Sequence, residues 1–521
     1  MQKHLFIAGL IATSSIFAQK KLPDNWILMD PQSDKVYGAG VEKAYEKLKD
    51  KKGKTVIVAV IDSGVDTDHE DLKDVIWTNT GEIPDNGVDD DKNGYVDDIH
   101  GWSFLGGKNG DINHEASELA RMYHRMNKKF STADTNNLKG SDATEFAEFK
   151  TIRNEYLTEL AKDEQELQSI DMIYDFLIKV KRQNNGSLTK ATVANYATED
   201  KREKQLKKFI KLASAFGVKP EELEGQLKEG KEYLENNVKY NKLNTDSIRQ
   251  VVVGDDVNNA TERYYGCNRV KGPDALHGTH VSGIIAAMRN NNVGIKGIAN
   301  NVKIMPVRAV PNGDERDKDI ANAIRYAVDN GATIINMSFG KYYSPDKKIV
   351  DEAIQYALSK DVLLIHAAGN ESKNVDSALS YPNRELSGGI TAPNWIEVGA
   401  NGYKKGKNII GTFSNYGRQR VDLFAPGVDI YSTVPDNKYI NESGTSMASP
   451  STAGVAAIIR SYFPELKAEE VKVLLMKTVV PYKKKVLIPG STRKKTKVTE
   501  LCISGGFVNA DRAVSELLKK K

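Results

Sequence analysis

A serine hydroxyl is a poor nucleophile at neutral pH. It reacts only beside a base, a group that orients the base, and donors for the oxyanion. Ser446 stands in Ser443-Gly444-Thr445-Ser446-Met447-Ala448-Ser449-Pro450, between glycine and a small-residue run that reads as the start of a buried helix. A base is available in His277, at the first turn of a second small-residue helix, Leu276 to Ala287. The glycine after it leaves the ring uncrowded. Asp62 ends the run Thr55-Val56-Ile57-Val58-Ala59-Val60-Ile61, in which six of seven residues are apolar. Such a run reads as a strand of a parallel sheet buried on both faces. A carboxylate at its C-terminal end can hold one imidazole nitrogen and leave the other free for the serine proton. Val362 to Ala368 is a second buried strand, followed by Gly369-Asn370. The Asn370 amide can serve an oxyanion together with the Ser446 backbone N–H.

The order Asp, His, Asn, Ser, with the strings Val-Ile-Asp-Ser-Gly, His-Gly-Thr-His-Val, Ala-Ala-Gly-Asn and Gly-Thr-Ser-Met-Ala-Ser-Pro, resembles the subtilisin-like serine proteases, the subtilases. The resemblance covers about 36–110 and 254–515. It implies an α/β fold with a doubly wound, mainly parallel sheet. It implies an endopeptidase in which Ser446 is nucleophile, His277 base and acid, Asp62 orienter and Asn370 oxyanion donor. It further implies that Ser338, Phe339 and Gly340 bind substrate backbone and wall the S1 pocket, with Ala367, Ala368 and Gly369 at its floor. Glu371 falls at the S1 rim, where it would favour Lys or Arg at P1. His69, His280 and His366 fall outside the family's base position and are expected to be structural. Ser451 stands where subtilisins often carry histidine, which argues against close kinship with subtilisin itself.

Asn86 to Asp98 places oxygen ligands at Asp89, Asp91 and Asn93, then Gly94, a Tyr95 carbonyl, and Asp97 and Asp98. This matches the first half of an EF-hand-type loop, and hard oxygens without cysteine indicate Ca²⁺. His100 replaces the expected bidentate glutamate. The resemblance adds Asp71 with Asn290–Asn292 as a second calcium candidate.

The 521 residues carry 74 basic and 70 acidic groups, net +4, which gives no case for a nucleic-acid partner. Residues 1–18 read as a signal peptide, so export to the periplasm or medium is expected, without a membrane span afterwards. Cys267 and Cys502 are the two cysteines, free to pair or to stay reduced. Gly38 to Lys51 reads as a helix with Val41, Ala44, Tyr45 and Leu48 on one face. The catalytic domain is taken to begin there, without a folding propeptide, and to end with the helix after Asn509. Between them, 111–253 reads as a helical insertion. Phe149, Ile152, Tyr156, Leu160, Leu167, Ile170, Ile173 and Leu177 recur at helical spacing, Asn184-Asn185-Gly186 breaks the run, Leu206 to Leu212 mark a second helix, and Pro220 starts a third. The insertion is either a packed decoration or an overhang on the cleft. Alternative readings are a narrow-specificity maturation protease, or a non-catalytic binding protein acting through the helical insertion. Protein or peptide substrates are the expected partners; oligomeric state is open.

Overall fold

The computed structural model describes residues 22–133, 137–215 and 217–519, so the signal peptide reading lies outside the described residues. The chain forms two compact units. One is Leu119–Thr245; the other joins Pro23–Glu118 to Asp246–Lys521.

The larger unit is built on a nine-stranded sheet. Its strands are β1 (Val56–Asp62), β2 (Trp102–Ser103), β3 (Val302–Arg308), β4 (Ile334–Met337), β5 (Leu363–Ala367), β6 (Trp395–Asn401), β7 (Leu423–Pro426), β8 (Val480–Pro481) and β9 (Gly506–Phe507). Their order is β8-β9-β7-β6-β5-β4-β1-β3-β2. All neighbours are parallel except the edge pair β8–β9. From β1 the chain runs to the edge strand β2, returns inward to β3 beside β1, then crosses to β4 on the other side of β1 and continues through β5 and β6 to β7. That reversal is the switch point where doubly wound sheets bind ligands. The strands are rich in Val, Ile, Leu and Ala because helices cover both faces, and β5 and β6 are buried at every position.

Small residues set the helix-to-sheet distances. A Cβ on Gly278, in the helix Leu276–Ala286, would lie 2.1 Å from the Gly64 carbonyl oxygen and 3.1 Å from the Asp62 Cβ. Glycine therefore lets this helix rest against the end of β1. The helix Val41–Leu48 is shorter than Gly38 to Lys51 but buries Val41, Ala44 and Leu48 as expected. Asn509 caps the last helix, Ala510–Leu518, its side chain accepting from the Arg512 N–H at 2.9 Å.

The smaller unit is all helical. Ser141–Gln183 is one 43-residue helix, ended at Asn184, and Lys201–Ala215 and Pro220–Asn241 follow. Ile170, Ile173, Phe176, Leu177, Val193, Ile210, Leu223 and Leu227 belong to its own core. Leu212 is 58% exposed and is not part of it. The sequence reading missed Glu118–Phe130, a helix of mostly polar composition. The unit is narrower than 111–253. Arg316 pairs with Glu115 and Asp246, Arg249 with Asp255 and Asp319, and Lys341 with Glu118. These ion pairs bind residues on both flanks of the insertion into the larger unit. Among the described residues, no helix is long and apolar enough to cross a membrane.

Candidate active site

Three adjacent strands, β1, β4 and β5, deliver Asp62, Ser338 and Gly369-Asn370 at their C-terminal ends. Two helices supply the remaining groups. His277 is the second residue of Leu276–Ala286, and Ser446 the second of Thr445–Tyr462.

His277 Nδ1 donates to Asp62 Oδ1 at 2.7 Å, and the Ser63 N–H donates to the same oxygen at 2.8 Å. Asp62 is buried, while the His277 side chain keeps 39% of its surface exposed. Desolvation pulls the imidazole toward neutrality, but the Asp62 charge and hydrogen bond outweigh it, so the His277 pKa is raised. A carboxylate oxygen only accepts, so the proton resides on Nδ1 and Nε2 has the lone pair.

Pro450 shapes the surroundings of Ser446. Lacking an N–H, it cannot donate to the Ser446 carbonyl four residues back. The Ser338 hydroxyl donates to that carbonyl instead, at 3.0 Å, and itself accepts from Asn336 Nδ2 at 2.9 Å. The Ser446 hydroxyl donates to the Ser338 carbonyl at 3.2 Å; no hydrogen bond joins it to His277 in this structure. As the second helical residue, Ser446 has a backbone N–H without an intrahelical acceptor.

Asn370 Oδ1 accepts from the Thr445 N–H at 2.9 Å and the Thr445 hydroxyl at 3.0 Å. The same hydroxyl accepts from the Gly369 N–H at 3.0 Å. With its oxygen held, Asn370 presents Nδ2 as a donor. Phe339-Gly340 and Ala367-Ala368-Gly369 flank this end of the sheet. Lys341 and Tyr381 exchange backbone hydrogen bonds of 3.0 and 2.8 Å beside Gly340. Glu371 Oε2 accepts from Asn415 Nδ2 at 2.7 Å.

His69 and His280 are structural. His69 Nδ1 accepts from the Asp71 N–H at 3.1 Å, and burial pushes the His280 pKa down to about 4. Cys267 and Cys502 are free thiols, and burial pushes Cys502 up to about 11.

In the acidic loop, carboxylate oxygens of Glu82, Asp91 and Asp98 lie within 4.8 Å of one another. Desolvation raises the Asp98 pKa to about 6. Such a set fits a hard divalent cation. Asp89 and Asp97 are not part of this set. Asp89 accepts from the Asn93 and Gly94 N–H groups, and Asp97 from those of Asn86 and Gly87. The Asn93 amide donates to Asp91 and Asp98, each at 3.1 Å, and the Tyr95 ring is buried. Asp71 accepts from Asn291 Nδ2 at 2.7 Å and the Ile295 N–H at 3.0 Å.

Glu82, Asn336, Thr445 and Asn415 escaped sequence reading. Each acts through a partner distant in sequence or lies outside a motif. Pro450 alone carried a signal, since a proline four residues after a serine frees that serine's carbonyl.

Among curated proteins, the chain is 44% identical over 188 residues to the thermophilic serine proteinase of Bacillus sp. strain AK1, covering 36% of this chain and 42% of that protein. It is 35% identical over 204 residues to subtilisin DY of Bacillus licheniformis, covering 39% and 69%. It is 39% identical over 186 residues to thermitase of Thermoactinomyces vulgaris, covering 36% and 61%. The chain thus spans less than half the length of the first of these relatives. The subtilase family profile matches residues 53–502, and the chain therefore belongs to the subtilase family.

Proposed function

We propose that this chain is an exported serine endopeptidase. The observation that carries the reading is the 2.7 Å bond from His277 Nδ1 to a buried Asp62, which fixes the tautomer a general base needs. In the reaction the Ser446 hydroxyl leaves the Ser338 carbonyl, gives its proton to His277 Nε2, and attacks the peptide carbonyl. The Asn370 amide and the Ser446 N–H receive the oxyanion. His277 then protonates the leaving amine, and water repeats the sequence to release the acyl group. The Asp62 charge stabilises the imidazolium throughout. Residues 1–18 support export.

Calcium belongs to the same proposal. Glu82, Asp91 and Asp98 would hold the ion, with Asn93 beside them, and it would serve stability rather than chemistry.

A fluorophosphonate probe tests the assignment, applied with and without Ca²⁺. An adduct on Ser446 that is absent in His277→Ala is expected. No adduct under either condition would overturn the reading. A melting temperature that rises with Ca²⁺ and loses that response in Asp98→Asn is expected for the cation site.

A further inference from the structure

The proposed mechanism has no use for the helical insertion, yet its entry and its exit meet on one short stretch of the larger unit. Glu115 and Asp246 both pair with Arg316, which donates to them from Nε at 2.9 Å and from Nη1 at 2.7 Å. Just beyond Glu115, Glu118 opens the helix Glu118–Phe130. Its N–H donates to Asp314 Oδ2 at 2.7 Å, and its carboxylate accepts from Lys341 Nζ at 2.8 Å. The same ammonium donates to the Glu315 carbonyl at 2.7 Å and pairs with Asp317 Oδ1 at 2.9 Å. Glu118, Asp317 and Lys341 are all buried. Lysine is almost never buried without a charged partner, and a buried ion pair stabilises little over an apolar pair of the same volume. What such a pair can supply is a fixed position.

The position held is one end of a short edge. β4 stops at Met337, and Ser338-Phe339-Gly340 continue the chain from it. Ser338 is tied to Ser446 in both directions, its hydroxyl donating to the Ser446 carbonyl and its own carbonyl accepting from the Ser446 hydroxyl. Lys341 is tied to Tyr381, each donating its N–H to the other's carbonyl. Between these anchors, Phe339 and Gly340 make no backbone hydrogen bond among the described residues, and Gly340 is exposed. Unpaired N–H and C=O groups beyond the end of a strand offer an edge to which an extended peptide can add.

We propose that Lys341 is a positioning residue for this edge and that Glu118 acts through it, so that the head of the insertion sets where an extended peptide pairs with Phe339 and Gly340. The inference rests on the protease reading above. Neither side chain touches substrate. Lys341 holds one end of the edge as Ser446 holds the other, and the Glu118 carboxylate holds the ammonium. The Arg316 pairs clamp the entry of the insertion to its exit, which keeps Glu118 in place. The insertion thus bears on catalysis through its root in the larger unit.

The test compares a tetrapeptide ester with a single-residue ester of the same P1 residue and leaving group. The first spans the edge, and the second reaches only the neighbourhood of Ser446. Active sites are counted by fluorophosphonate labelling of Ser446, so misfolded protein drops out of the rates. Glu118→Gln keeps the shape and an acceptor for Lys341 but removes the charge. It should raise KM for the tetrapeptide with kcat per labelled site nearly constant, and the tetrapeptide-to-single-residue ratio of kcat/KM should fall about tenfold. Lys341→Met should lower that ratio at least as far; if it does not fold, Glu118→Gln decides alone. A ratio unchanged in every folded variant overturns the inference and leaves the protease reading standing. An equal loss on both esters makes Glu118 and Lys341 supports of the fold alone and overturns it as well. No cleavage of either ester by the unaltered protein, with Ser446 unlabelled, overturns the protease reading, and the inference falls with it.

Discussion

The larger unit carries two histidine–carboxylate pairs of nearly the same geometry, His277–Asp62 at 2.7 Å and His366–Glu397 at 2.9 Å. In both, Nδ1 donates and Nε2 is uncommitted. Their settings differ. His277 rides on a helix and meets Asp62 at the end of β1, with 39% of its side chain exposed. His366 and Glu397 stand opposite each other within β5 and β6, and His366 is 1% exposed. The pairing is therefore common to both, and exposure is what differs. In the proposed mechanism, that exposure is what opens His277 Nε2 to the Ser446 hydroxyl. The environment also sets the cost of disruption, because His277 can be rehydrated when its bond is broken and His366 cannot.

The first way to break the comparison is Asp62→Asn. It preserves shape but favours the wrong tautomer, and kcat/KM should fall by about 10⁴-fold with little change in unfolding midpoint. A loss under tenfold would remove Asp62 from its assigned role. Glu397→Leu should behave in the opposite sense. It strands the His366 and Trp395 donors in the interior and should cost about 3 kcal/mol of stability. Replacing both members, as His366→Leu with Glu397→Leu, should recover most of that loss in urea unfolding. If single and double variants are equally unstable, the pair is not behaving as a buried polar unit.

A smaller effect is expected from Thr445→Val, which removes the hydroxyl bridging Gly369 and Asn370. The Asn370 amide loses one of its two anchors, so kcat should drop about tenfold with KM nearly unchanged. A change confined to KM would place Thr445 in substrate binding instead. The mildest test is pH. Because the Asp62 charge raises the His277 pKa, the acid limb of kcat/KM should have its midpoint above the ordinary value of 6.5, and Asp62→Asn should lower it. The sign for stability follows from linkage. Protonated His277 is favoured in the folded state, so its contribution is fully present below the unfolded pKa and is lost as pH rises through the folded one. Urea midpoints of Ser446→Ala measured across neutral pH would show this decline.

Much of this was legible in the chain. Val56 to Asp62 reads as a buried strand because β-branched residues fill it without alternation. Ser446, His277 and Asn370 are marked by the small residues that must surround them, since a helix cannot approach β1 with a side chain at 278. In the insertion, Asn184 and Pro220 punctuate helices as their backbone chemistry requires. Other features lay beyond reach. The helix Glu118–Phe130 hides behind a polar composition. Asp89 and Asp97 match a ligand spacing, but spacing cannot say whether a carboxylate faces a cation or caps its own loop.

Sequence by itself determined the chemistry available, the strands and helices that carry it, and the family. These depend on local rules, in which each residue's type and its near neighbours suffice. Tertiary structure alone decided which groups meet. It made Ser338 replace the hydrogen bond that Pro450 cannot give, brought Glu82 to Asp91 and Asp98, and set Glu397 against His366 across adjacent strands. It also decided that one imidazole opens to solvent and the other to the interior. Those outcomes depend on strand order and register between distant segments, and no local pattern encodes them.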